Sequence, residues 1–180
     1  MVLPGRSGET ALLKSAFAVA LTLVLAGCGT MPYAPMEYPL RDGLIPKLDI
    51  AGTVAVTNAQ PSTAPTIVYS YGGTKLSSDL KAITETMVQQ TNGELQKNGH
   101  KTGGTARKSI GLKVDFLESD YIAFFWKSEI RFQAILGNGQ TVDFSVHHSS
   151  GVALQDLNGC IAEGVMNLLN DPRIKTYLAN

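Results

Sequence analysis

From Ile110 to His148 the chain alternates apolar and polar residues in three successive runs, a period of two that fits a β-sheet with one covered face. In the first run, Ile110, Leu112, Val114 and Phe116 alternate with Gly111, Lys113, Asp115 and Leu117. In the second, Trp126, Ser128, Ile130, Phe132, Ala134 and Leu136 alternate with Lys127, Glu129, Arg131, Gln133 and Ile135. Gly137-Asn138-Gly139-Gln140 then reads as a turn into a third run, whose inward set is Val142, Phe144, Val146 and His148. Charge complementarity gives a register for the first two strands: Lys113 opposite Glu129, Asp115 opposite Lys127, with Leu112 meeting Ile130 and Phe116 meeting Trp126 on the inside.

A different period flanks the meander. Leu76, Leu80, Ile83, Met87, Val88 and Leu95 share a helical face, which predicts a helix from near Ser77 to Asn98-Gly99. Leu154, Leu157, Ile161, Val165, Leu168 and Leu169 predict a second, and Asp171-Pro172 starts a short last one with aspartate as cap and proline at the first helical position. Upstream, Asp49 to Asn58 reads as a strand and Thr66 to Tyr71 as a short addition. The order strand, helix, three-strand meander, helix implies an α+β two-layer sandwich. Its sheet is about four-stranded, mixed or antiparallel, with two main helices on one face.

The first 27 residues lie outside that fold. A basic segment with Arg6 and Lys14, an apolar run from Ala16 to Ala26 and small residues before Cys28 are the parts of an export signal. The apolar run is about half of the roughly 20 residues a bilayer span needs. Leu25-Ala26-Gly27-Cys28 matches the bacterial lipobox, in which an aliphatic and two small residues precede a cysteine that takes a lipid. The chemistry accounts for the cysteine, because only a thiol supplies a usable nucleophile near neutral pH. The implied modification is a diacylglycerol thioether and an acyl chain on Cys28. At about 0.8 kcal/mol per buried methylene, two or three such chains hold for practical purposes irreversibly. Gly29 follows in place of the aspartate that commonly retains such proteins at the inner membrane, which implies the outer membrane, facing the periplasm.

Loss of the signal removes Arg6, Lys14 and Glu9, so 15 basic and 15 acidic residues become 13 and 14, a net charge of −1. No basic excess points to nucleic acid. With Cys28 acylated, Cys160 has no cysteine to pair with. Residues 28–48, proline-rich and without apolar period, read as the lipidated N-terminus and an extended tether. A flexible segment of about 20 residues reaches roughly 25 Å. The other reading of this stretch packs Tyr33 and Tyr38 onto the domain, which spans residues 49–180.

Catalytic chemistry needs a nucleophile, a base and an orienting group that converge. His147 and His148 are consecutive on a strand and point to opposite faces, His148 inward and His147 to the surface. His100 lies in a basic connection, His100 to Lys108, without the glycine directly before lysine that a phosphate loop requires. Asp115, Glu118 and Asp120 read as strand and turn residues, and Cys160 as a small buried hydrophobe. No residue is assigned to catalysis, to a cofactor or to a metal.

The lipobox, Thr53-Val54-Ala55-Val56, the helix ending in Asn98-Gly99, Leu112-Lys113-Val114, the Gly137-Asn138-Gly139 hairpin and Leu168-Leu169-Asn170-Asp171-Pro172-Arg173-Ile174 together resemble the YajG-type outer-membrane lipoproteins. The resemblance spans Asp49 to Leu178, and a related layout occurs in LptE and other envelope-assembly lipoproteins. It implies non-enzymatic work in the cell envelope, with a membrane reached through the lipid and an envelope protein as partner. No site residues carry over from it. The alternative is an enzyme or carrier acting on peptidoglycan or lipid whose residues form no sequence motif.

Overall fold

The computed structural model describes residues 29–102 and 106–180. The described elements, in chain order, are β1 (Thr30–Pro32), β2 (Val54–Asn58), β3 (Pro65–Tyr71), β4 (Thr74–Asp79), α1 (Leu80–Lys97), β5 (Lys108–Ile122), β6 (Phe125–Leu136), β7 (Thr141–Ser150), α2 (Ala153–Asn170) and α3 (Pro172–Ala179). The fold is α+β, as the patterns imply, but its mixed sheet has seven strands rather than about four. The order is β1-β4-β3-β5-β6-β7. The long β5 takes β2 in parallel along its first residues, Val54 opposite Lys108 through Asn58 opposite Leu112, and meets β3 further on, with Tyr69 opposite Ser119.

The alternation holds where it is strongest. Ile110, Leu112, Val114, Ile130, Phe132, Ala134, Leu136, Val142 and Val146 are all buried. On the helices they meet Ile83, Met87 and Leu95 of α1, and Leu157, Ile161, Val165 and Leu168 of α2, in one hydrophobic cluster. Leu154, grouped with that face by its spacing, is instead exposed in the first turn of α2.

The register inferred from charge is wrong. Lys113 lies opposite Gln133, Leu112 opposite Ala134, Glu118 opposite Glu129 and Asp120 opposite Lys127. The cause is a connection of only two residues, Ala123 and Phe124, whose φ angles of 45° and 82° make a tight hairpin without the glycine or asparagine that usually signals one. Both strands therefore run further toward the tip. A bulge between Val114 and Phe116 then reverses the faces beyond it. Leu117 is buried, whereas Phe116 is turned outward under the Arg131 guanidinium, 4.1 Å from the ring centroid. Asp115, at the bulge, is ion-paired with its own strand neighbour Lys113 at 2.8 Å.

Leu76 belongs to β4 and not to the helix. The helix starts at Leu80, where the Asp79 carboxylate caps it by accepting from the Ala82 amide at 2.8 Å. It stops at Asn98, followed by Gly99 at a φ of 82°. The first predicted strand also shortens from Asp49–Asn58 to Val54–Asn58. The last helix begins as expected, with Asp171 accepting from the Arg173 amide at 2.8 Å and Pro172 in the first turn.

The stretch read as a tether is packed along the domain. Residues Thr30–Pro32 pair in parallel with β4, and Tyr33, Ile45 and Leu48 are buried. The Tyr33 hydroxyl donates to Asn158 Oδ1 at 2.6 Å, and the Met36 amide donates to the same oxygen at 3.1 Å. Gln90 Nε2 donates to the Tyr38 carbonyl at 2.7 Å, and Thr86 Oγ1 to the Pro35 carbonyl at 3.3 Å. Polar residues on α1 are thus buried because they satisfy the backbone of a segment with no regular ladder of its own.

Candidate functional site

Cys28 lies outside the described residues, and the chain enters them at Gly29. The Gly29 carbonyl accepts from the Lys75 amide at 3.2 Å, so the backbone joins the sheet edge one residue after Cys28. The strand directions fix what else stands at that end. β1 starts there alongside the start of β4, so the Gly72-Gly73 turn joining β3 to β4 is there too. β3 and β5 are parallel, which brings the Ala123-Phe124 hairpin to the same end. β7 runs antiparallel to β6 with Ser150 opposite Trp126, so Gly151, Val152 and the first turn of α2 arrive there as well.

This end is aromatic. Trp126 lies 4.8 Å from Tyr69, 4.8 Å from Tyr121 and 5.5 Å from Tyr71, and Tyr71 and Tyr121 are 4.6 Å apart, between ring centroids. Tyr69 is buried, Trp126 half-buried, and Tyr71 and Tyr121 exposed, so the cluster runs from the core out to solvent. Beyond it Phe124 is 91% exposed at the hairpin tip, and Ile122, Phe125, Val152 and Leu154 are exposed beside it. Sequence reasoning missed this grouping, because the rings lie on three strands brought together by the parallel pairing of β3 with β5.

A buried polar group sits deeper. Asp156 is fully buried; its Oδ2 accepts from the Ser119 hydroxyl at 2.7 Å and from the Ser128 hydroxyl, while Oδ1 has no hydrogen-bond partner among the described residues. His148 is inward, as expected, against Gly159, where a Cβ would come within 2.4 Å of its Nε2. Serine, histidine and aspartate therefore occur in one region, but the aspartate binds the serine hydroxyls directly, and Ser128 and Asp156 have no exposed surface. Cys160, one turn along α2, is also fully buried, and its Sγ lies 3.7 Å from the Val146 carbonyl. Burial, reinforced by the nearby Asp156 and Glu163 carboxylates, pushes its thiol well above the usual range. In the Cys28→Ala chain, where it is the sole thiol, Cys160 is expected to resist a maleimide until the protein is denatured. Equal labelling rates for native and denatured protein would contradict this placement.

At the opposite end, a cleft of about 650 Å³ is lined by residues including Arg107, Lys108, Asn138, Arg173 and Tyr177. Two of its cations have structural work. Lys108 Nζ donates to the Tyr177 carbonyl, and Arg173 pairs with Asp171 at 2.7 Å, holding that carboxyl below its ordinary range. The Tyr177 hydroxyl accepts from the amides of Ser109 at 3.0 Å and Gly137 at 3.1 Å and donates to the Ser109 carbonyl at 3.0 Å, fastening α3 to the sheet.

The remaining polar residues singled out in the sequence do not converge with these. His100 Nε2 is 3.1 Å from the Leu48 carbonyl, and residues 103–105 of its loop lie outside the described residues. His147 is exposed on the outer face of β7. Among the described residues no group of three or more histidine, cysteine, aspartate or glutamate side chains is placed to hold a metal, and no helix is long and apolar enough to cross a membrane. No protein-family model matches the chain, and no curated protein matches it significantly.

Proposed function

We propose that this chain is a lipoprotein acylated at Cys28, held by its lipid to the outer membrane on the periplasmic side, whose domain is a non-catalytic binding or assembly module of the cell envelope. The observation that carries the reading is the lipobox, Leu25-Ala26-Gly27-Cys28, at the end of an apolar run. The residue after the lipobox cysteine is already hydrogen-bonded to the sheet edge, so acyl chains on Cys28 would hold the domain directly at the lipid surface instead of on a long leash. A two-layer build, with α1 and α2 both covering the buried face of the sheet, agrees with a compact module. The pattern resemblance to YajG-type lipoproteins points the same way.

The anchor is tested by feeding cells labelled palmitate. Label is expected in the wild-type chain and absent from Cys28→Ala, with the variant accumulating as a folded, mislocalised precursor. Continued labelling of the variant would remove Cys28 from this role. The module reading is tested by crosslinking intact cells. A reproducible envelope-protein neighbour supports it, and consistent absence of one across growth conditions counts against it.

A further inference from the structure

We infer that the aromatic end of the sheet is a second membrane contact: Phe124 enters the bilayer interface, Tyr71, Tyr121 and Trp126 lie at headgroup level, and the domain stands with this end down. The inference rests on acylation of Cys28, which identifies the occupant. Consecutive Cα atoms are about 3.8 Å apart, so a lipid-bearing Cys28 cannot lie far from Gly29, and Gly29 is at the aromatic end. A bilayer reached by those chains is therefore the apolar phase nearest to this patch.

The residue types fit that phase. Tryptophan and tyrosine, with an apolar ring and a polar edge, are the residues enriched where hydrocarbon gives way to headgroups. Their grading here, from buried Tyr69 through half-buried Trp126 to exposed Tyr71 and Tyr121, makes a rim continuous with the core and held by it. Lys75 and Lys127 are exposed beside the rim, with Asp120 opposite Lys127, so the surroundings carry little net charge and can meet zwitterionic or weakly anionic lipid. The hairpin tip gives a further sign. Phe124 is held at a φ of 82°, where a bulky side chain is strained, and it is the most exposed large hydrophobic residue described. Neither core packing nor turn geometry accounts for a phenylalanine at that position.

Trp126 is the single tryptophan of the chain, so it reports on the rim without interference. The acylated mature protein would be reconstituted into vesicles of phosphatidylethanolamine and phosphatidylglycerol carrying either a headgroup nitroxide or deep acyl-chain bromines. Strong quenching of Trp126 by the headgroup nitroxide and weaker quenching by the deep bromines is expected. Phe124→Ser and Phe124→Gly should remain acylated and folded yet lower the docked-to-undocked ratio by about tenfold, the effect of withdrawing one apolar side chain from its phase. Phe124→Gly also relieves the left-handed φ, so a loss of quenching there cannot be ascribed to misfolding.

Protein that carries palmitate and floats with the vesicles while Trp126 stays unquenched would overturn the inference and leave the anchor standing. Unquenched Trp126 together with dimers crosslinked through the rim would assign the patch to a second copy and also overturn it. Protein without palmitate that fails to float would overturn the anchor and the inference together.

Discussion

Phe132→Ala is expected to destabilise the domain by about 3–5 kcal/mol, the range for truncating a large aromatic side chain in a packed core. Phe132 is 1% exposed on β6 and stacks on Phe144 of β7, with ring centroids 4.6 Å apart and planes within 6° of parallel. Its other side faces α2 at Gly164, where an added Cβ would come within 3.3 Å of Cε1 of the ring. Gly164 offers no side chain to refill the space, which leaves Met87 of α1, whose Cε would lie 3.1 Å from the same added Cβ, as the neighbour that sets how far the cavity closes. Against a typical total of about 5–15 kcal/mol, such a loss consumes a large share of the stability. Urea unfolding followed by far-ultraviolet circular dichroism would show a lower midpoint with an unchanged slope. Phe132→Leu, which refills most of the volume, should recover the greater part. A shift below about 1 kcal/mol for the alanine variant would mean that the ring is not the keystone between β6 and α2.

The burial of Phe132, though not its partner, was legible in the sequence because a strand with one covered face writes its buried set at every second position. Ile130, Phe132, Ala134 and Leu136 spell it out, as do Leu157, Ile161, Val165 and Leu168 at helical spacing. The pattern disappears where burial does not alternate. β4 is Thr-Lys-Leu-Ser-Ser-Asp, with Leu76 as its one buried residue, and β1 is three exposed residues ending in Pro32, tolerable on an edge where no ladder amide is needed. Neither carries a pattern to read. Pairing by charge misled for a related reason: surface ion pairs stabilise a register by only a few tenths of a kcal/mol up to about 1 kcal/mol, whereas a two-residue turn and a bulge fix it outright. Glu118 opposite Glu129 shows how little the charges decided.

The candidate site divides in the same way. The proposed Cys28 site rests on Leu25-Ala26-Gly27-Cys28 alone, since a lipobox is a contiguous peptide that can be read without a fold. The aromatic rim could not be read that way, since Tyr71 and Tyr121 are 50 positions apart and meet only through a parallel pairing that no turn announces. Buried polar residues on α1 were hidden too. Thr86 and Gln90 look like a solvent face until the backbone of residues 33–40 is laid over them.

Tyr33→Ala is expected to free that overlying segment and turn it into the tether its composition resembles. Tyr33 is 5% exposed, its ring lies in the core cluster, and its hydroxyl is bonded to Asn158 Oδ1. Burial, with a smaller contribution from Cys160, pushes the phenol above its ordinary range, so the hydroxyl stays protonated and donating throughout physiological pH. Removing the ring and the hydrogen bond together should cost about 3–5 kcal/mol, most of it locally, because β1 is an edge strand and the segment crosses the domain without a regular ladder. Tyr33→Phe, which keeps the ring and leaves Asn158 Oδ1 its bond from the Met36 amide, should cost only about 1 kcal/mol. Hydrogen exchange separates local from global loss. The Tyr33 amide, bonded to the Ser77 carbonyl at 2.7 Å, and the Met36 amide should exchange at least about 100-fold faster in Tyr33→Ala, while amides in the middle of β6 change far less. Equal acceleration everywhere would show the segment to be part of the global cooperative unit, and no acceleration would show that it is held by something other than Tyr33. If Cys28 carries lipid, the same substitution lengthens the link to the membrane from one residue to nearly 20, a root-mean-square reach of about 25 Å. Trp126 should then be quenched less by the headgroup nitroxide although Phe124 and the rim are untouched, because a longer link lowers the effective concentration of the rim at the bilayer.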